Sequence, residues 1–429
     1  MSQAINYIET TAKLAQTLEH GSVTPWLAEF RQQQVAAAVE QDMPSRKVEH
    51  FKYNNLTLLS KQAYHQMPTN PANATQLPSL CDHFDADRLV IIDGQLSKEA
   101  STSALTYVTA FSDTNEQQQA FVLETLKRKN YGKNVFSLLG NGLTQNGYLV
   151  EFDERTENPL HIIYINTQAS SQHVLNEQLI VRVSKLASAN IVEHFVSDGE
   201  DNSVRHQSSH FVIEDGANLT HYRLHLENSS QVHFGENNVW LARDSKINSF
   251  HLALGSAIKR VDINVHHQAS GSHADVNGLY LALNNEQVDF HTNIEHQVPH
   301  CTSQEVFRGL IGGSAKAVFN GRIHIFKDAQ KTLAELSNKN LLLSNKAEIN
   351  TKPELEIYAD DVRCAHGATV AQMDNKALFY LMSRGIPKAQ AELMLSFGFV
   401  NELLDNLSDQ PIAEYLRPIL AKLFDQAAN

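Results

Sequence analysis

The chain has 429 residues, 42% of them hydrophobic, with 19 Gly and 11 Pro; it is a folded protein too long for one ordinary core, so two or three domains are expected. A formal charge of −13 works against nucleic acid or anionic lipid as the main partner, because phosphate binding needs clustered Lys and Arg. No run approaches the roughly 18 apolar residues of a membrane span, and the N-terminus has no basic stretch followed by an apolar one, so neither a span nor a secretory signal is expected.

The N-terminal region reads as helical. Thr24 is placed to cap, Pro25 suits the first helical position, Pro44 ends the run, and Trp26, Leu27 and Phe30 form an apolar face. A polar segment with Asn and Pro, Met67 to Ser79, reads as a linker or long loop. Arg88 to Leu96 reads as a strand that enters a turn at Asp93–Gly94. Helix is predicted again between Asn115 and Asn130, and the basic cluster LKRKNYGK, Leu126 to Lys133, reads as its solvated end.

From about Tyr148 to Val362 short apolar alternations recur, separated by Asp, Asn, Gly and Ser. Ile191, Leu219, Ile247 and Val276 follow one another with a period of about 28 residues, and Val318 and Ile349 continue the series after longer steps. Strands at a near-constant interval with no helical pattern between them predict a stacked solenoid, in which each coil buries its inner face against its neighbours. A β-sandwich also uses short alternating strands, but it has no reason to keep the interval constant. The expected fold is mainly β: a parallel β-helix flanked by N-terminal and C-terminal α-helical regions. The boundaries are placed at 1–85, 86–365 and 366–429, with regular repeats from about 150.

The helical pattern resumes after His366. Asp374 caps one helix, Gly385 ends it in a left-handed conformation, and Pro387 opens a second. In that second helix Ala389, Leu393, Phe397, Val400 and Leu404 form a single apolar stripe. Packing on the chain's own domain is the usual meaning of such a stripe, and docking of another protein is the minority one.

Glycine-rich nucleotide loops, GxSxG, HExxH and EF-hand loops are absent from the sequence. The three cysteines, Cys81, Cys301 and Cys364, include no CxxC pair, which argues against a zinc module or disulfide framework and fits a reduced, cytoplasmic setting. Most of the 21 histidines fall in the solenoid, where hydrogen-bonded or solvent-facing roles are the default. His266 and His267 point to opposite faces of a strand. His296 and His300 on one strand would stand ~13 Å apart, too far to share a zinc bound at ~2.1 Å. Asp360 and Asp361 are strand neighbours and a poor acid/base pair. Cys364 and His366, two apart, project to one side. Three readings stand side by side for them: a soft or borderline metal site, an imidazole that lowers the thiol's pKa, or a small buried hydrophobe beside a capping side chain.

The stretch KPELEIYADDVRCAHGATVAQMDNKALFYLMSRGIP, Lys352 to Pro387, resembles the signature of the SufB/SufD family of iron–sulfur cluster assembly proteins. The likeness extends through Phe326–Ile357 and Val288–Ser303 to PSRKVEHFKYNNL, Pro44 to Leu56, and so covers most of the chain. The C-x-H-G-A-T pattern is the form of the SufD branch. Ala347 stands where the SufB branch carries a cysteine, and a cysteine-rich N-terminal stretch is lacking. The resemblance implies a right-handed parallel β-helix that pairs with SufB, and C-terminal helices that grip the ATPase SufC around Leu378, Phe379, Tyr380, Leu381, Arg384, Leu393 and Phe397. ATP would sit on SufC, and an iron–sulfur cluster would be held transiently by the complex rather than tightly by this chain. His366 would be the cluster or iron ligand at the interface, Cys364 the neighbouring thiol, and the role a non-catalytic one. An isolated chain would form a homodimer. The alternatives are a β-helix enzyme acting on carbohydrate and a lone homodimeric metal-binding protein.

Overall fold

The structure is a computed structural model that describes residues 5–18, 24–66, 77–82, 84–103, 105–128 and 134–428, with side chains to residue 425. The helices are α1 (Tyr7–Thr17), α2 (Ala28–Val39), α3 (Glu116–Lys127), α4 (Val135–Leu143), α5 (Asn375–Ser383), α6 (Lys388–Asp405) and α7 (Gln410–Ala428). Short strands come first: β1 (His65–Gln66), β2 (Asp87–Ile92), β3 (Gln95–Leu96), β4 (Val108–Ala110), β5 (Gly147–Phe152) and β6 (Leu160–Thr167). The regular series follows as β7 (His173–Val183), β8 (Ser188–Asp198), β9 (Val204–Ile213), β10 (Asn218–His225), β11 (Val232–Leu241), β12 (Lys246–Leu254) and β13 (Ile258–His267). It continues as β14 (His273–Ala282), β15 (Gln287–His296), β16 (Thr302–Ile311), β17 (Lys316–Ile325), β18 (Leu333–Leu342), β19 (Glu348–Ile357) and β20 (Arg363–Gln372).

Odd strands from β5 to β19 form one parallel sheet and even strands from β6 to β20 the other, so the chain winds a parallel β-solenoid of about eight turns. Alternation points one side chain of each neighbouring pair inward, and the inward set (Ile191, Leu219, Ile247, Val276, Phe290, Phe307, Phe319, Ile323 among them) makes one continuous apolar core. Each such Val, Leu, Ile or Phe contributes roughly 1.5–3 kcal/mol when buried. No single coil can bury this face alone.

The register refines the repeat seen in the sequence. Leu219 lies directly opposite Ile247, but Ile191 lies opposite His221 and Val276 opposite Ser249. A shift of two positions keeps a side chain on the same face, which is why all four still point inward. Val318 and Ile349 belong to the other sheet, with Val318 opposite Asn350 and Ile349 opposite Ala317. Ala317, Phe319, Ile323 and Ile325 are the inward core residues on β17, so Val318 points outward. Turn lengths vary: the step along the chain from His233 to its partner Lys259 is clearly shorter than the step from Ala317 to its partner Ile349.

Each outer face is covered by its own helical layer. Helices α1, α2 and α4 lie on the odd-strand sheet, where Tyr7 and Phe136 pack with Val204, Val232 and Phe234. The Phe136 and Phe234 rings stack at 3.8 Å, and the Tyr7 hydroxyl lies 2.8 Å from His206 Nε2. Helices α6 and α7 cover the even-strand sheet, where Val400, Leu404, Leu416 and Phe424 meet Tyr222, Leu252 and Leu281. The N-terminal signature is an anchor strip. The Arg260 guanidinium sits 4.3 Å over the Phe51 ring and donates to the His50 carbonyl, while Asn54 donates to Asp289 at 2.8 Å.

Several local expectations need correction. Pro25–Leu27 form a 3-10 turn before α2, and Thr24 supplies no cap: its hydroxyl donates instead to the Gln145 carbonyl. Helix α2 stops at Val39, before Pro44, with Glu40 as C-cap. Most of the predicted linker, 67–76, lies outside the described residues. The turn at Asp93–Gly94 is present, with both residues at positive φ joining β2 to β3, as a primed two-residue turn requires. Helix α3 carries a full capping box at Asn115 and Gln118; at its end Lys127 is exposed and Arg128 half-buried, 5.1 Å over Trp240, while the rest of the basic cluster, 129–133, lies outside the described residues. His300 lies beyond the end of β15, so it shares no strand with His296. Asp360 and Asp361 lie in the bend between β19 and β20, where Asp361 pairs with Lys331. The largest shift is at the C-terminal junction: strand β20 runs to Gln372, so helix begins at Asn375 and not just after His366.

Candidate functional site

The two ends of the solenoid differ. At the N-terminal end β3 and β4 pair antiparallel with β2 and β5 and close the sheets. At the C-terminal end, among the described residues, β20 pairs only with β18 and β19 only with β17. Nearly every residue of β20 is exposed, and Tyr358, just past β19, is 62% exposed. This is an open mouth on the lumen, edged by strands with unpaired backbone groups.

Cys364 and His366 stand in that mouth. Cys364 pairs with Ala334 and His366 with Leu336, both inward residues of β18, so both project toward the lumen axis. Cys364 packs half-buried against the apolar core, and His366 is exposed because no further coil covers it. Burial pushes the Cys364 thiol above its ordinary value, with only a backbone contact at Ala334 working against it. What the pair offers is one nitrogen and one sulfur donor on one side of a strand, open to a ligand held from above.

Helix α5 follows β20 directly. Its aromatic residues are displayed: Phe379 is 72% exposed and Tyr380 54%, with Met382 also exposed and the Arg384 guanidinium 4.8 Å over the Tyr380 ring. Leu378 and Leu381 are half-buried. The stripe on α6 faces inward: Val400 and Leu404 are buried, and Leu393 and Phe397 pack into the layer under α7, with Phe397 against Phe424 at 5.0 Å. Asp374 caps α5 and Gly385 ends it at φ +85°. The structure thus brings His366, Cys364 and the exposed face of α5 to one end of the molecule, and it places Leu393 and Phe397 in the fold's own packing.

Stacking also unites polar residues that sequence reasoning left scattered. His225, Glu227 and His233 have ligand atoms within 4.8 Å of one another. They do not suit a metal. Arg223 Nε donates to His225 Nε2 at 2.9 Å, so the proton of that ring sits on Nδ1, facing Glu227. Glu227 also receives His233 Nδ1 at 2.5 Å and Lys259 Nζ at 2.7 Å. The carboxylate is fully paired, and its buried neighbours balance in charge: Arg205, Arg223 and Lys259 against Glu177, Glu193 and Glu227. Ser249, His221 and Glu193 line up at 2.9 and 3.0 Å like a nucleophile, base and orienter. All three are buried, and Arg223 holds the Glu193 carboxyl well below its usual range despite burial.

Residues 164–399 match the family model described as SUF system FeS cluster assembly, SufBD core domain. The chain is 32% identical over 394 residues to the iron–sulfur cluster assembly protein SufD of Escherichia coli K12, covering 89% of this chain and 90% of that protein. It is 29% identical to an iron–sulfur cluster assembly SufBD family protein of Synechocystis, over 75% of this chain and 74% of that one. The chloroplastic protein ABCI7 of Arabidopsis thaliana is 25% identical over 94% of this chain and 89% of its own length. With more than half of its length in the core-domain match and the solenoid in register to its open end, the chain belongs to the SufB/SufD family of iron–sulfur cluster assembly proteins.

Proposed function

We propose that this chain is the SufD-type subunit of a cluster assembly scaffold: a non-catalytic cytoplasmic partner that pairs with SufB through the open solenoid end and docks the ATPase SufC through α5. The bare last coil carries the reading. Among the described residues, strands β19 and β20 have no strand paired along their outer edges, and such an edge is a template for another strand. A SufB coil seated there would extend both sheets and close the mouth over His366 and Cys364. His366 is then the principal donor toward the iron or nascent cluster, which is cargo and not a resident cofactor, and Cys364 is the subsidiary one. ATP binds to SufC. Without SufB, the same edge accepts a second copy of this chain and gives a homodimer.

Co-expression with SufB and SufC tests the reading. The tagged chain retains both partners. Changing Phe379→Asp together with Tyr380→Asp removes SufC, keeps SufB, and leaves the melting temperature unchanged, because both rings are exposed. Recovery of the chain alone overturns the proposal.

A further inference from the structure

Behind the mouth lies a buried carboxyl that no side chain pairs. Glu305 lies inward on β16, 1% exposed, and neither oxygen has a hydrogen-bond partner. Register places it in one column with Val276 on β14, Leu336 on β18 and His366 on β20. Rungs are ~4.8 Å apart, so its backbone lies ~10 Å behind that of His366 with Leu336 between. Among the described residues no charged side chain acts on Glu305. Thr292, on the opposite sheet, is its one polar influence, and the threonine hydroxyl makes no aligned hydrogen bond. Burial pushes the carboxyl up to about 8, so it keeps its proton at neutral pH. Glu177, Glu193 and Glu227, deeper in the same lumen, each have a cation at 2.9 Å or less. A lone buried acid costs stability and returns no contact, the pattern of a group kept for function.

We infer that Glu305 is the charge-compensating residue of the mouth, neutral while the mouth is empty and ionised when a divalent cation is seated at His366 and Cys364. This rests on reading the mouth as the iron-facing site. A dication ~10 Å away favours carboxylate over acid on the order of 100-fold at an effective dielectric of about 20. That outweighs the roughly tenfold preference for the acid at pH 7. By reciprocity the carboxylate favours the cation. One proton leaves Glu305 for solvent as the cation arrives; no bond forms between them and no electron moves.

Calorimetric titration of cobalt(II) into the full chain, in two buffers of different ionisation enthalpy, counts the protons released. Glu305→Gln, which removes the charge and keeps the shape, releases nearly one proton fewer per cobalt at pH 7 and binds about tenfold more weakly, and the gap widens toward pH 9. The infrared band of the protonated carboxyl, present in the native chain and absent from the variant, disappears when cobalt is added. Equal proton counts and equal affinities overturn the role of Glu305 alone. Cobalt binding that is absent, or that is unaffected by His366→Ala, overturns the reading of the mouth and this inference with it.

Discussion

Replacing Glu227 by Ala lowers the free energy of unfolding by about 3–5 kcal/mol, the range for breaking one partner out of a buried ion pair. The carboxylate is 3% exposed and is held by Lys259, His233 and His225 inside a closed lumen. Its removal strands the Lys259 ammonium at 0% exposure, and among the described residues no second carboxylate forms an ion pair with that ammonium. The double change Glu227→Leu with Lys259→Met recovers most of the loss, because a well-packed apolar pair replaces a buried ion pair at little or no net cost. Urea titration followed by circular dichroism measures both. A loss under about 1 kcal/mol in the single variant is what a water-filled lumen gives, and it would contradict the closed, charge-balanced interior.

Acid unfolds this protein early. Burial holds His194, His206 and His296 down to about 3 and His233 to about 4. His161, His225, His251 and His267 are held well below the ordinary value, also by burial first. A histidine whose folded pKa lies below its unfolded value binds more protons when unfolded. Its full stability is therefore present above ~6.5 and is lost as pH falls toward the folded value. At pH 5 each of the first four costs about 2 kcal/mol, and the raised Glu305 carboxyl gives back about as much as one of them. Against a typical total of about 5–15 kcal/mol, the expected result is a steep loss of stability between pH 6.5 and 5, with net uptake of several protons. His194 also ties α7 to the solenoid through the Tyr415 hydroxyl and stacks on His161 at 5.4 Å. His194→Gln therefore flattens the pH dependence by about one proton. A melting temperature constant from pH 8 to 5 contradicts the buried, neutral state of these rings.

The solenoid is legible in the sequence because its period is imposed by stacking: residues such as Leu219 and Ile247 must meet in register. The exact interval is not, since turns of different length, the short one after β12 and the long one after β17, leave every side chain on its face. Asp93–Gly94, Asp374 and Gly385 are readable because each performs a local backbone task that few residues can do. The end of β20 is not, because AHGATVAQ carries no strong alternation and its Gly367 marks no boundary, while pairing with β18 holds it extended to Gln372. In the site, the two-residue spacing of Cys364 and His366 gives their shared side. Their exposure cannot be read, because it depends on the absence of a next coil. The Glu227 and Glu305 environments are invisible in sequence for the same reason: the partners of the one, and the apolar neighbours of the other, lie on other coils.

The proposed role of the open mouth is to hold iron through His366 for cluster assembly within a three-protein complex. Its most direct test is the iron and sulfide content of the co-purified assembly with SufB and SufC, native against His366→Ala. The variant is expected to assemble with the same subunit stoichiometry and to fold as the native chain does, since the imidazole is exposed, but to lose most of its bound iron and sulfide. Undiminished iron and sulfide in the His366→Ala complex would contradict it.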